Sequence, residues 1–189
     1  MSTIRGVWHI GLIWALAAAQ ASAPALADAQ ERATRSGPVI QSAGAVFQVD
    51  PDVETPSDVD YRVAFDVATP APSPDRLNPS LNTPARFLNM HAQAGVPEDR
   101  LAAALVVHGG ASFELLDDEA YRSRFGVDNP NGDLLRELIA KGHPVILCGQ
   151  SAASRNVPTD QLIPGVEVAL SAMTAFVILQ EQGYRVNPW

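Results

Sequence analysis

The chain has 189 residues, 47% hydrophobic and 18% charged, with one cysteine and a formal net charge of −8. That apolar content can build a core, which excludes a disordered chain, and a single cysteine cannot bridge within the chain, which excludes a disulfide scaffold. The acidic balance argues against nucleic acid or a polybasic membrane surface as partner, and the length predicts one domain.

The first 27 residues read as an address. Arg5 is the only charged residue before Asp28, an apolar run follows over Ile10–Ala19, and the stretch ends Ala25-Leu26-Ala27. A positive start, a core of about ten apolar residues and a small-x-small ending are the parts of a secretory signal. A membrane anchor would need roughly 20 apolar residues, and Gln20, Ser22 and Pro24 interrupt the run first. Cleavage is expected after Ala27, with Ala23 as second choice. Removing the segment takes away one positive charge, so the net becomes −9. The expected compartment is the periplasm or the exterior, and a free thiol there is unusual.

Residues 28–36 are polar and unpatterned, a lead-in. Residues 37–49 hold two short β-rich pieces around Ser42-Ala43-Gly44, which predict a hairpin or an extended arm, and the acidic, proline-bearing 50–60 predicts a loop. Residues 61–68 (YRVAFDVA) alternate as a strand does. Residues 69–82 carry four prolines and predict a long loop, after which Thr83-Pro84 has the form of an N-cap and first helical residue. Phe87, Leu88, His91 and Ala94 recur at helical spacing, and Gly95 closes the helix.

Residues 101–107 (LAAALVV) form a continuous apolar run, the pattern of a strand covered on both faces. His108-Gly109-Gly110 ends it. A helix is expected between Phe113 and Phe125, a turn over 129–131, and a helix over 133–141 with Leu134, Leu135, Leu138 and Ile139 on one face. Residues 144–147 (PVIL) predict a second buried strand, ending at Cys148. One helical turn follows over 151–156, then a strand over 166–170, a helix capped by Ser171, and a last strand over 184–186. Strands alternating with helices imply a mostly parallel sheet between two helical layers, a three-layer α/β/α domain over 61–189 with the arm and loop of 28–60 before it.

Sites in such sheets form beyond the carboxyl ends of the strands. Two reactive residue types stand there, Cys148 and His108. Gly149 lets the backbone come close to a bound sulfur species or anion, Gln150 and Ser151 offer hydrogen bonds, and a helix start would favour a thiolate. Arg155, about a turn on, adds positive charge. The competing account of Cys148 is a buried, inert core cysteine. His108, followed by Gly109-Gly110, is either an aid to proton transfer or a structural hydrogen-bonder. His143, after a helix C-terminus, reads as structural and partly protonated, and His91 as core edge. Asp117-Asp118-Glu119 reads as a solvated helix face. Neither metal-ligand spacing nor a cofactor motif is found, so no metal and no cofactor is expected.

VVHGGASFELL (106–116), NGDLLRELIAKG (131–142), VILCGQSAASRNV (145–157) and LIPGVEVALSAMTAFVILQEQGY (162–184), in that order, resemble the DsrE/DsrF-like family of sulfur-relay and sulfur-oxidation proteins. The resemblance covers roughly residues 60–188. It implies a flavodoxin-like or DsrE-like α/β/α fold, a persulfide on Cys148, and a homotrimer or homohexamer. The function expected from residues and resemblance together is a periplasmic sulfur-handling protein. Cys148 is its persulfide carrier, His108 assists, and Gly109, Gly149, Gln150 and Ser151 bind. Its partners are sulfur donor and acceptor proteins. The alternative is a non-catalytic oligomeric module binding a small molecule or a protein at the same strand ends. A reversible redox role for Cys148 ranks below both, because the chain has no resolving cysteine.

Overall fold

A computed structural model describes residues 34–187, so the expected signal segment and its cleavage sites lie outside the described residues. Among the described residues there are seven strands: β1 (Thr34–Arg35), β2 (Val46–Phe47), β3 (Tyr61–Val67), β4 (Leu101–Val107), β5 (Val145–Cys148), β6 (Glu167–Ala169) and β7 (Arg185–Asn187). The helices are α1 (Pro79–Gln93), α2 (Asp118–Phe125), α3 (Gly132–Ala140), α4 (Gly149–Arg155) and α5 (Ala172–Glu181). Five strands form one parallel sheet in the order β6-β5-β4-β3-β7. Four strands are therefore laid down in succession toward one edge. The chain then crosses the sheet through α5 to the opposite edge.

This crossing leaves the two faces unequally covered. On one face Phe65, Val67, Leu105, Val107 and Leu147 pack with Leu81 and Leu88 of α1 and with Leu134, Leu135 and Leu138 of α3. Each fully buried side chain of this size stabilises the fold by about 1.5–3 kcal/mol relative to an exposed one. On the other face Ala64, Ala104 and Val106 pack with Ala175 and Leu179 of α5 and with Tyr184, and Ala172 and Phe176 of α5 lie half-buried against them. The small residues on both sides let α5 lie close to the sheet. Its outer face stays uncovered, with Met173 77% exposed and Val177 and Ile178 also exposed.

The N-terminal arm departs from expectation at its start. Thr34–Arg35, placed in the polar lead-in, forms β1 and pairs antiparallel with β2. A ladder needs backbone groups, not apolar side chains, and the Gln93 side chain also donates to the Arg35 and Gly37 carbonyls. Val39 and Ile40, expected in a β-rich piece, are irregular in backbone but buried in the main core. Asn89 of α1 holds them, accepting from Ile40 N–H at 2.8 Å and donating to the Ile40, Ala43 and Gly44 carbonyls.

Helix α1 begins five residues before Thr83-Pro84 would place it. The cap is Asn78, whose side chain accepts from Ser80 N–H, and Pro79 is the first helical residue. Asn78 is chosen by tertiary contacts. Its backbone N–H donates to Asn131, and its side chain donates to Thr69 O and, at 2.5 Å, to Glu114. Pro84 sits within the helix instead. The helix expected between Phe113 and Phe125 is two elements, a 3-10 turn over Gly109–Leu115 and then α2. Asp117 is the N-cap of α2, accepting from Ala120 N–H at 2.8 Å, and Asp118 pairs with Arg136. The acidic run thus lies at a helix start, where negative charge suits the dipole, with Asp118 half-exposed and Glu119 exposed as expected of a solvated face.

Candidate functional site

The register of the sheet brings the two strand-end candidates together. Val67 pairs with Val107, and Val107 pairs with Leu147. His108 and Cys148 are the next residues on neighbouring strands, both in extended conformation, so their backbones stand at one level, about 4.8 Å apart. Side chains alternate between faces along a strand. Ala104 and Val106, and likewise Ile146, face α5, so His108 and Cys148 share that face. Asp66 of β3, two residues after Ala64, shares it too. Its carboxylate oxygen lies 2.6 Å from His108 Nε2. The polar end of the alternating strand was visible in the sequence, but its pairing with His108 depends on strand order.

Cys148 is the N-cap residue of α4 and only 5% exposed. Burial by itself would raise its pKa, but hydrogen bonds to sulfur outweigh it and hold the thiol below its ordinary value. The donors are the Ser151 hydroxyl and the backbone N–H groups of Ser151, Ala172 and Gln150. The sulfur therefore sits where α4 and α5 both begin, with the fixed N–H groups of two helix starts directed at it. Ser171 caps α5 by accepting from Thr174 N–H at 3.1 Å, which leaves Ala172 N–H for the sulfur. Arg155 has no part in this: it lies exposed in the last turn of α4.

Two glycines make the approach possible. A Cβ on Gly149 would stand 2.7 Å from the Ala169 carbonyl oxygen, so the β5–α4 turn can lie against the end of β6 only without a side chain. Gly109 has φ +58, and a Cβ there would stand 3.0 Å from Ala68 O. Its N–H donates to Ser151 Oγ at 3.1 Å. The Gln150 side chain turns to the Leu170 carbonyl at 3.4 Å, leaving only its N–H for the sulfur.

The other two described histidines, His143 and His91, lie elsewhere. His143 is buried, which pushes its pKa down and disfavours the partly protonated ring expected after a helix end; its Nδ1 accepts from Ala103 N–H at 3.5 Å. His91 lies between the rings of Tyr61 and Phe87 and bonds Phe87 O through Nδ1. It borders a cleft of about 630 Å³ between residues 46–55 and the end of α1, away from Cys148. Among the described residues no group of three His, Cys, Asp or Glu side chains is placed to hold a metal ion. No helix among them is long and apolar enough to cross a membrane.

Comparison with known proteins adds the following. A model described as the DsrE/DsrF-like family matches residues 62–188. No curated protein matches the chain. Among solved structures, a protein of unknown function from Methanobacterium thermoautotrophicum is similar at 18% identity and a TM-score of 0.49, covering 69% of this chain and 100% of its own.

Proposed function

The chain belongs to the DsrE/DsrF-like family, whose membership points to sulfur relay at the level of the family, and from that premise we propose that it is an exported persulfide carrier working through Cys148. The observation that carries the proposal is the sulfur's environment. Three backbone N–H groups and the Ser151 hydroxyl surround an atom that burial alone would keep protonated. Such donors favour a thiolate, the form that attacks sulfur, and they would equally hold the terminal anion of a persulfide. In the transfer, the Cys148 thiolate attacks the outer sulfur of a donor R–S–SH. A Cys148–S–SH bond forms, the donor S–S bond breaks, and R–S⁻ leaves and takes up a proton. Nothing is oxidised or reduced overall.

The test is intact-mass spectrometry after incubation with a small persulfide. A gain of one or more sulfur atoms, absent in Cys148→Ser, is the expected result, and an unmodified wild-type protein overturns the proposal. The burial of Cys148 favours the second reading, a binding module with an inert thiol. A thiol that resists iodoacetamide at neutral pH would decide for that reading.

Self-association and export belong to the same proposal. The uncovered face of α5 and the β6 edge present Val168, Leu170, Met173, Val177 and Ile178, with Leu170 72% exposed. Contiguous apolar surface of this kind marks an interface, and a second copy of the chain, in a trimer or hexamer, is the proposed occupant. Light scattering on the mature protein checks it, with a monomer as the contrary result. N-terminal sequencing of protein from the periplasm checks cleavage after Ala27.

A further inference from the structure

The persulfide reading, on which this inference rests, leaves open what holds His108. The Asp66 carboxylate oxygen lies 2.6 Å from His108 Nε2. A carboxylate can only accept, so Nε2 carries a proton, and in the neutral ring that leaves the lone pair on Nδ1. Asp66 on β3 and Cys148 at the end of β5 flank His108, the residue directly after β4, and the alternation of the strands puts all three on one face of the sheet. The pair is not there to hold the fold. Its side chains are 30% and 43% exposed, and exposed ion pairs contribute about 0–1 kcal/mol.

We propose that Asp66 is a positioning residue, which fixes His108 in the Nε2–H form so that Nδ1 exchanges the proton of the sulfur transfer. Cys148–SH gives its proton to Nδ1, and the thiolate attacks the outer sulfur of the donor persulfide. The electron pair of the broken S–S bond leaves on R–S⁻, which takes the proton back from Nδ1. The transient imidazolium is stabilised by the Asp66 carboxylate, the role a carboxylate plays behind a catalytic histidine.

The surroundings contain no rival for this role. Helix α5 carries no charged residue from Ala172 to Gln180, and the charge of α4 is Arg155 at its far end. On β3, Arg62 shares the face but lies over the Tyr184 ring at 4.5 Å. Glu114, in the turn after His108, is engaged by Ala71 N–H and Asn78.

The experiment compares wild type, Asp66→Asn and Asp66→Glu by imidazole nitrogen NMR under mildly alkaline conditions, together with the rate of Cys148 loading by glutathione persulfide. Wild type should show His108 in the Nε2–H form. Asp66→Asn should lose that form and load roughly 10-fold or more slowly while melting within a few degrees of wild type. Asp66→Glu should recover most of both. An unchanged nitrogen spectrum in Asp66→Asn, or loading within about twofold of wild type, overturns the proposal. If wild-type Cys148 takes up no sulfur, the persulfide reading fails separately. The nitrogen spectra and the relative iodoacetamide rates of the variants then still decide whether Asp66 positions His108.

Discussion

The Ser151 hydroxyl oxygen accepts the Gly109 N–H at 3.1 Å, which ties the first turn of α4 to the backbone just past β4. A serine hydroxyl has one hydrogen. With its oxygen engaged by Gly109, that hydrogen is directed to the Cys148 sulfur. Ser151 thus joins the two strand ends that carry the candidate chemistry, and its donation to sulfur is held by a backbone contact rather than by a freely rotating side chain.

Ser151→Ala should therefore raise the Cys148 pKa, because it removes the hydroxyl hydrogen bond that pulls it down. A hydrogen bond to a charged group is worth about 1.5–3 kcal/mol, so alkylation by iodoacetamide at neutral pH should slow by roughly 10-fold. At a pH where the thiol is fully ionised the two proteins should react at similar rates. A Ser151→Ala protein that reacts as fast as wild type at neutral pH would show that the backbone N–H groups alone hold the thiolate.

Gly149→Ala tests the close approach of the β5–α4 turn to β6. The new methyl would meet the Ala169 carbonyl oxygen at 2.7 Å, and a backbone atom cannot rotate away as a side chain can. The expected cost is about 1–3 kcal/mol, read as a fall in melting temperature of several degrees. Cys148 should become more accessible to alkylation, since the end of β6 and the start of α5 move together. An unchanged melting temperature would mean that the β6 edge yields freely.

The strands and the position of Cys148 were legible because their causes are local. LAAALVV is β4 to the residue, and Cys148 ends β5 where the apolar run stops. Ser171 caps α5 through its own neighbourhood. What was not legible depends on partners distant in sequence. Asn78-Pro79 and Thr83-Pro84 are equivalent as local helix starts, and the choice between them is made by Glu114 and Asn131. Asp66 looks like the polar phase of an alternating strand until β3 is placed beside β4. Ala172 N–H reaches Cys148 only because α5 starts over the end of β5, a consequence of strand order.

Glu114 makes a prediction about pH. It is buried at 4% exposure, and burial raises its pKa more than hydrogen bonds from Ala71 N–H and Asn78 lower it. A carboxyl whose folded pKa lies above its unfolded one binds its proton more readily in the folded state. Its contribution then favours folding at low pH and is lost as pH rises from the unfolded value of 4.5 through the raised folded value. Glu114→Gln should flatten the stability curve across that window in urea melts. It should also cost about 1–3 kcal/mol at neutral pH, because its amide nitrogen would face a donor. Parallel curves for the two proteins would mean that Glu114 does not titrate in that window.

Glu137 makes the opposite prediction, and its effect falls on the arm. Its Oε1 accepts from Gln41 N–H at 2.8 Å, and its Oε2 accepts from Ser42 N–H at 2.9 Å and from the Ser42 hydroxyl at 2.6 Å. Burial would raise its pKa, but these bonds and the Lys141 charge lower it overall. A carboxyl held below its unfolded value contributes stability above pH 4.5 that disappears as pH falls through the depressed folded value. Glu137→Ala should therefore release residues 41–42 at neutral pH, at a cost of about 1–3 kcal/mol. Hydrogen exchange should quicken at the Gln41 and Ser42 amides and stay slow at Ile40, whose N–H is held by Asn89. Acidified wild-type protein should reproduce the same pattern, because protonated Glu137 is a poorer acceptor for these donors. Equal exchange at Gln41 and Ser42 in wild type and variant would mean that Val39, Ile40 and Asn89 anchor the arm without Glu137.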